Sequence, residues 1–524
     1  MRKRTNVLWR AAGAAAALSL VVSGCSGEGN ENAPTASPGQ SGGAEGKKME
    51  IVWANNMNAP EADNNAVEKY LEDKFNVSIT NVKFERTNWK EKFGVLLASG
   101  QIPDIFPIDA NEVDMAQWAD QGVIASIAPD DIKKHMPRYT QAMEAVDPGA
   151  WDVGHYNGKN WGIPKVWPGG NDPFVPGYNE AWLKKAGFSQ PPKTLAEYEQ
   201  LLAQFANGDP DGNGKKDTFG LSGRGKLPEQ MFTSVFMAHG VSPYQFIVGK
   251  DGKITWGGLS EEVRTSLKLL NKWYKSGWID PEFVTTDNNQ LNEKFANQKI
   301  GVVDNMKWGN FDKNSGFIAK PGLDKGQAVV PGTPIVGPAG QPYGFAYGPR
   351  QAPLLLGAQL EQDGAKRVKI MQILDELAAD QESWVLTVYG QEGVNYEKKD
   401  GIITAKTNPE AAVNKVGAGS FYNPLNAVDT RMAKLTLTPA ALEMKNRINA
   451  GIKPVYDALL PASLPARTKY WSNLKTQQDT YIIKAVLGEA DTDKAFDEFK
   501  AGWLKNGGQE VLNEANQVYA ARKK

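Results

Sequence analysis

Hydrophobic and polar positions follow two different periods along this chain, and the two are interleaved. Met49-Glu50-Ile51-Val52-Trp53 has the look of a short strand, Val67, Tyr70 and Leu71 fall on one helical face, and Val77-Ser78-Ile79-Thr80 returns to a strand. Strand, helix and strand in that order predict a βαβ unit and a parallel sheet. Thr194-Leu195-Ala196-Glu197 is a capping box that opens a helix through Leu195, Tyr198, Leu202 and Phe205, with Asn207-Gly208 as its stop. Ser260 caps a second helix carrying Val263, Leu267, Leu270 and Tyr274 and ended by Gly277. A third runs through Val368, Met371, Leu374 and Ala378, and the region from Thr480 to Tyr519 is mostly helical with breaks at Gly488 and Gly507-Gly508. No internal repeat is visible, and the class is α/β.

The N-terminus follows another pattern. Arg2, Lys3, Arg4 and Arg10 precede a stretch from Ala11 to Val22 that is apolar except for Gly13 and Ser19, which is the anatomy of a secretory signal. The run is shorter than the roughly 20 apolar residues needed to span a bilayer. The only cysteine, Cys25, follows in Val22-Ser23-Gly24-Cys25, where no disulfide partner exists. These four residues resemble the lipobox of bacterial lipoproteins. That resemblance implies that 1–24 is a lipoprotein signal peptide and that Cys25 is lipidated (palmitate among its acyl chains) and becomes the mature N-terminus. Residues 26–48 contain no Val, Ile, Leu, Met or aromatic residue, so 25–48 is expected to be a lipidated cysteine and a flexible tether.

The leader carries four basic and no acidic residues, so its removal shifts the net charge from −1 to −5. A mildly acidic surface argues against nucleic acid as a partner. No second segment is long and apolar enough to cross a membrane, so contact with one is expected through the anchor only. Roughly 480 folded residues suggest two or more lobes. Fifteen tryptophans are many for this length, and several fall beside turns and glycines.

The stretch Asp209-Pro210-Asp211-Gly212-Asn213-Gly214-Lys215-Lys216-Asp217 places side-chain oxygens at loop positions 1, 3, 5 and 9, with Gly214 at the sharp turn of position 6. Alternate residues of a tight loop converge on one centre, and Ca²⁺ takes about 6–8 oxygens. Asp209, Asp211, Asn213 and Asp217 would give side chains and Lys215 its backbone carbonyl. The loop departs from the EF-hand pattern at position 12, where Gly220 replaces the bidentate Glu, and Thr218 to Leu221 predict a strand or turn in place of a second helix. A structural calcium in a helix-loop-strand site is the expectation; a plain polar turn is the alternative.

Catalytic signals are few. His135, His155 and His239 are isolated and lack metal-ligand spacing. No phosphate loop or nucleophile elbow occurs. Carboxylates are plentiful enough to leave a glycosidase pair open.

Several stretches, taken in order, resemble the family 1 extracellular solute-binding proteins, the receptors of ABC importers. They are Gly100-Gln101-Ile102-Pro103-Asp104-Ile105-Phe106, Trp118-Ala119-Asp120-Gln121-Gly122-Val123-Ile124, and Tyr156-Asn157-Gly158-Lys159-Asn160-Trp161-Gly162-Ile163-Pro164. Tyr178-Asn179-Glu180-Ala181-Trp182-Leu183-Lys184-Lys185-Ala186-Gly187 with Pro192 and Thr194 follows. Then comes Phe295-Ala296-Asn297-Gln298-Lys299-Ile300-Gly301-Val302 with Trp308, where Gln298 replaces the usual Gly. The acidic loop and Tyr389-Gly390-Gln391-Glu392-Gly393-Val394 are similar to the lipoprotein subgroup of alginate-oligosaccharide receptors and LplA-type proteins. The resemblance implies a two-lobed, hinged periplasmic-binding-protein-like fold of type II. It places lobe 1 at 49–166 and 334–395 and lobe 2 at 167–333 and 396–524, with the loop 209–217 in lobe 2.

Sugar recognition needs aromatic faces and planar polar groups at strand C-termini and loops facing a cleft. Trp53 and Asn55 end the first strand, and Asp109 follows Ile105-Phe106-Pro107-Ile108. Trp167 lies just after Ile163-Pro164, Asn305 and Trp308 follow Ile300-Gly301-Val302-Val303, and Tyr343, Tyr347 and Arg350 flank Gly344-Phe345-Ala346. Trp471 opens the last helical region. The maltose-receptor branch of the family implies ligand contacts near Trp167 and Trp308. Arg350 could instead pair with a lobe carboxylate, and Trp182 and Trp503 sit on apolar helical faces as core. The leading expectation is a non-enzymatic, monomeric, membrane-tethered receptor on the outer face of the bacterial cell membrane, delivering an oligosaccharide to an ABC permease. A lipid-anchored polysaccharide hydrolase and a peptide or signal receptor of the same fold are the alternatives.

Overall fold

The structure, a computed structural model, describes residues 48–313, 316–425, 432, 434–489 and 492–522. The signal peptide, Cys25 and the tether before residue 48 lie outside the described residues.

The first strand, Met49–Asn55, pairs in parallel with Val77–Lys83 in the register Met49↔Val77, and the helix Ala66–Phe75 crosses between them. Asn65 caps that helix by accepting from the Glu68 amide at 2.9 Å, and Asn76 in the left-handed region ends it. Ile105 continues the sheet, bridging Trp53 on one side and Leu356 on the other. A second sheet has four strands in the order Val329–Pro331, Val175–Asn179, Ile300–Met306 and Phe219–Leu221. Ile300–Met306 is wholly buried, antiparallel to Val175–Asn179 and parallel to Phe219–Leu221. A near-continuous apolar run is what a strand covered on both faces requires.

Apolar side chains divide into two groups of cores. One holds Ile51, Trp53, Ile105, Phe106, Ile163 and Val166 with Leu354, Leu356 and Leu374. The other holds Tyr178, Trp182, Leu202, Phe205, Val302 and Ile335 with Leu474, Trp503 and Val511. The fold is thus α/β and two-lobed, of the type II periplasmic-binding-protein kind, with each lobe discontinuous in sequence.

The lobe boundaries expected at 334 and 395 do not coincide with where these cores divide. Ile335 packs in the core of Tyr178, and Val336 bridges Thr194. Ala418, Phe421, Tyr422 and Leu425 pack in the core of Trp53. The cause is Trp53: its ring meets Tyr422 edge-on at 5.7 Å and its Nε1 donates to the Phe421 carbonyl at 2.9 Å. The two strands joining the core groups, Ile163–Val166 and Arg350–Leu354, lie antiparallel with Arg350 opposite Val166.

The capping box at Thr194 forms as expected: its hydroxyl accepts from the Glu197 amide at 3.2 Å, while Glu197 accepts from the Thr194 amide at 3.0 Å. Helix Leu195–Asn207, the acidic loop and strand Phe219–Leu221 give the helix-loop-strand order. The last helices are Pro465–Leu487, Thr492–Trp503 and Gln509–Arg522. Gly488 ends the first at φ 77°, and Gly507 at φ 114° takes the kink, a conformation that glycine alone adopts without strain. The long helix starts at Pro465, so Trp471 lies inside it and does not open it. Among the described residues no helix is long and apolar enough to cross a membrane.

Candidate functional site

The chain leaves the strand Ile163–Val166 through Trp167, whose amide donates to the Pro349 carbonyl at 2.7 Å. This fixes Trp167 against the returning segment that carries Tyr347. The two rings stack with centroids 6.3 Å apart and planes 27° apart. They stay 36% and 40% exposed, although burial is the usual fate of such side chains. Phe174 and Phe345 support Tyr347 edge-on at 5.2 and 5.5 Å. The Tyr347 hydroxyl accepts from Gln230 Nε2 at 3.1 Å.

Lys307 enters this aromatic group from the end of the strand Ile300–Met306. Its ammonium lies 4.0 Å from the Trp167 centroid, 5.1 Å from Phe174 and 5.2 Å from Tyr347, and donates to the Gly169 carbonyl at 2.7 Å. Burial pushes the amine down to about 8; Asp172 pulls it back up and Lys445 adds to the fall. Two residues earlier, Asn305 sits at φ 60°, an uncommon conformation for a side chain larger than hydrogen. It is 2% exposed, and neither its carboxamide oxygen nor its nitrogen has a hydrogen-bond partner. An orphaned buried amide costs roughly 1–3 kcal/mol, so a strained residue carrying one points to a ligand role.

A matching group stands at the end of the first strand. Asn56, 3% exposed, donates to Asp109 at 2.9 Å and leaves its own Oδ1 unpartnered. Arg86 meets the same Asp109 oxygen at 3.2 Å. Lys165 shares a strand face with Trp167 by the two-residue alternation. It is buried and donates to the Ile108 carbonyl at 3.0 Å, and burial drives its amine down to about 8 against the pull of Asp109.

A third group lines a cavity of about 180 Å³ built by Glu229, Tyr244, Trp256, Arg467, Trp471 and Lys475. Arg467 covers the Trp471 ring at 4.5 Å and reaches Glu112 at 3.6 Å, linking the helix Pro465–Leu487 to the helix Glu112–Asp120 of the other core group. Glu229 adjoins Gln230, which connects this cavity to Tyr347.

The structure therefore brings Trp167 and Tyr347 together with Lys307, leaves Asn305 buried two residues before Lys307, and sets Asp109 beside Asn56. Trp308 is held at Asp172: its Nε1 donates to that carboxylate at 2.9 Å, and Lys445 and Asn449 hold the same carboxylate. Trp471 belongs to the separate cavity. Two expectations are corrected, Trp53 and Asn55, and Arg350 takes the carboxylate pairing set out for it as the alternative to ligand binding. Trp53 is wholly buried in the core. Asn55 is consumed by the backbone, donating to the Ser420 and Phe421 carbonyls and accepting from the Asn56 and Ile108 amides. Arg350 is locked to Asp147 at 2.6 Å and Asp152 at 3.1 Å; burial opposes its charge, but the Asp147 contacts hold its pKa up. Tyr343 is half-buried on the strand Tyr343–Phe345 and shares no ring contact with the aromatic pair. Sequence reading missed Asn56, Lys165, Gln230 and Lys307. The strand alternation from Trp167 back to Lys165 was the one usable signal.

The acidic loop places its oxygens around Asn213. Asp209 accepts from the Asn213 and Gly214 amides at 3.0 Å each, and Asp211 and Asp217 accept from Asn213 Nδ2 at 2.7 and 3.0 Å. The Lys215 amide donates to Asn213 Oδ1 at 2.7 Å, and Asp217 also pairs with Lys299. Burial, then Asp209 and Asp217, raise the Asp211 pKa, a sign of crowded negative charge that a cation would relieve. Among the described residues, no three carboxylate, histidine or cysteine side chains yet form a metal-holding group. The expected donors are present but turned onto the loop's own N–H groups.

Two discontinuous lobes, with an exposed aromatic pair and unpaired polar groups where the chain crosses between them, define a solute-binding protein. Residues 65–361 match the family of bacterial extracellular solute-binding proteins, and the chain belongs to that family. It is 24% identical to the lipoprotein LipO of Bacillus subtilis over the whole of both chains. It is 30% identical to the fructooligosaccharide ABC transporter substrate-binding protein FusA of Streptococcus pneumoniae over 50% of this chain and 49% of that one. With the polygalacturonan/rhamnogalacturonan-binding protein YtcQ of B. subtilis it shares 22% identity over 97% of each. Among solved structures, FusA in complex with kestose superposes with a TM-score of 0.65 at 21% identity, covering 91% of this chain and 99% of that one. An HMO-binding, ABC-transporter-associated solute-binding protein from Bifidobacterium longum infantis gives 0.69 at 16% identity, with the same coverage.

Proposed function

We propose that this protein is the receptor of an ABC importer and that it captures an oligosaccharide between its lobes. The observation that carries the reading is the half-exposed Trp167–Tyr347 pair, with the unpartnered buried amide of Asn305 two residues before the Lys307 that enters the pair and the unpartnered Oδ1 of Asn56 at the end of the first strand. Aromatic faces take the apolar side of a pyranose, and amides take its hydroxyls. Relatives named for fructooligosaccharides and for polygalacturonan agree with that chemistry. No enzymatic step is needed. The lobes are proposed to divide where the cores divide, with 49–166 and 354–425 forming one of them. Lipidated Cys25 and the tether to residue 48 would hold a monomer at the outer face of the cell membrane, beside the permease.

A thermal-shift screen over kestose, nystose, galacturonate oligomers and N-glycan fragments tests the reading. A ligand at 100 times its Kd stabilises by about 2.7 kcal/mol, an easily measured rise in Tm. Rises confined to oligosaccharides support the proposal; a flat screen with shifts only from peptides counts against it.

Calcium in the loop 209–217 is a second proposal. The crowding of Asp209, Asp211 and Asp217 about Asn213 supports it, and solved relatives include an EF-hand mutant of FusA and alginate-binding AlgQ2 described without calcium ion. Bound there, the ion would supply charge neutralisation and hold the loop shut; it would carry no chemistry.

A further inference from the structure

We propose that Lys307 is a positioning residue for the aromatic pair: its ammonium clamps the Trp167 and Tyr347 rings from one side and leaves their other faces as a one-sided platform for a sugar. The inference rests on the oligosaccharide reading and names what orders the surface that the sugar meets.

The two rings come from different segments. Trp167 follows the strand Ile163–Val166, and Tyr347 precedes the strand Arg350–Leu354. Backbone contacts bring these segments together: the Gly348 amide donates to the Gly170 carbonyl at 3.0 Å, and a Cβ at Gly170 would lie 1.9 Å from the Gly348 oxygen. That contact sets where the two side chains begin and not where their rings point. Exposed side chains change rotamer on the nanosecond scale unless something holds them. With centroids 6.3 Å apart, the rings hold each other only loosely.

Lys307 supplies the missing restraint. Its ammonium stands 4.0 Å from the Trp167 centroid, 5.2 Å from Tyr347 and 5.1 Å from Phe174. A cation within about 6 Å of a ring centroid is attracted by the ring face, more strongly where water is kept away. One charge therefore holds both rings of the pair, together with the Phe174 that meets Tyr347 edge-on. The lysine is itself fixed at both ends: its amide donates to Asn310 Oδ1 at 2.8 Å and its ammonium to the Gly169 carbonyl at 2.7 Å. Asp172, the acid that acts on it, is taken up by Trp308, Lys445 and Asn449, which leaves the ammonium to the rings. Because the ammonium caps one face of Trp167, a sugar laid on that ring uses the opposite face. The clamp needs the charge. Burial sets the Lys307 amine at about 8, with Asp172 pulling it up and Lys445 adding to the fall. The Tyr347 phenol is pushed up by burial, with Arg224 pulling it down and Glu229 pushing it up, so it keeps its proton while Lys307 titrates. Lys165, one strand position pair before Trp167, also has its amine at about 8.

The test has two readouts on the full mature chain, taken from about pH 6.5 to about 9.5. One is acrylamide quenching of Trp167 without ligand, read as the difference from the Trp167→Phe variant. The other is calorimetric affinity for kestose, nystose and trigalacturonate. Lys307→Met, which keeps an unbranched apolar side chain beside the rings, should raise the quenching and weaken sugar binding about tenfold, with Tm within a few degrees. In the wild type both readouts should move the same way as the pH rises through about 8, and in Lys307→Met both should be flat. Lys165→Met should keep the pH step, which assigns it to Lys307 even where Lys307→Met folds poorly. Unchanged quenching or unchanged affinity in Lys307→Met overturns the inference. A pH step that survives Lys307→Met, or that Lys165→Met removes, overturns it as well. The quenching signature with no binding of any of the three sugars supports the clamp and sinks the receptor reading alone.

Discussion

Trp53 and Trp167 show why residue type alone does not locate a binding surface. Both end strands and both sit among apolar residues in sequence. Trp53 is sealed by Phe421, 368 positions away, and no local pattern announces that partner. Trp167 stays exposed because its neighbours after the strand are the tight segment Pro168–Asn171 and the returning backbone at Pro349. Trp167→Ala and Tyr347→Ala should each weaken oligosaccharide binding by tenfold or more, in line with the 0.5–1.5 kcal/mol of an aromatic contact plus lost area, and leave Tm nearly unchanged. Calorimetry with melting curves checks both halves. Lys165 makes a different prediction. Its amine falls from 10.5 to about 8 through burial, so the charged form costs the native state about 3 kcal/mol at neutral pH. Between pH 8 and 10.5 the unfolded chain binds the extra proton, and stability should rise with pH in that window. Lys165→Met should remove that rise and stabilise the protein at pH 7, as denaturant titrations at several pH values would show.

Elements were more legible than residues. The βαβ start, the capped helices and the breaks at Gly488 and Gly507 all follow from short-range chemistry, which a single sequence contains. Loss of the Thr194 cap in Thr194→Ala should cost about 1 kcal/mol, read from urea unfolding. Strand Ile300–Met306 depends on a close approach that the sequence does not advertise: a Cβ at Gly301 would lie 2.1 Å from the Phe205 ring and 2.7 Å from Trp182. Gly301→Ala should destabilise by about 1–3 kcal/mol through overpacking. The loop 209–217 was legible as helix-loop-strand, but its side-chain directions were not, because the oxygens turn onto the loop's own N–H groups and Lys299. Added calcium should raise Tm and EDTA should reverse it in the wild type, with no effect in the Asp209→Asn/Asp211→Asn double variant. An identical response of both proteins would place the ion elsewhere.

At the scale of the whole molecule, two α/β lobes from discontinuous segments were foreseeable, but the packing of Phe421 and Tyr422 into the core of Trp53 was not. The segment holding Phe421 and Tyr422 packs against Trp53, and that long-range packing has no sequence period. Contacts such as Arg467–Glu112 already span the two core groups, so closure has partners on both sides. Hinge closure about a bound ligand is the motion this architecture allows. Small-angle X-ray scattering of the mature chain, with and without saturating oligosaccharide, tests capture between the lobes most directly. The radius of gyration should fall on ligand addition in the wild type and stay constant in the Trp167→Ala/Tyr347→Ala variant. Calorimetrically proven binding with no contraction in the wild type would contradict the account.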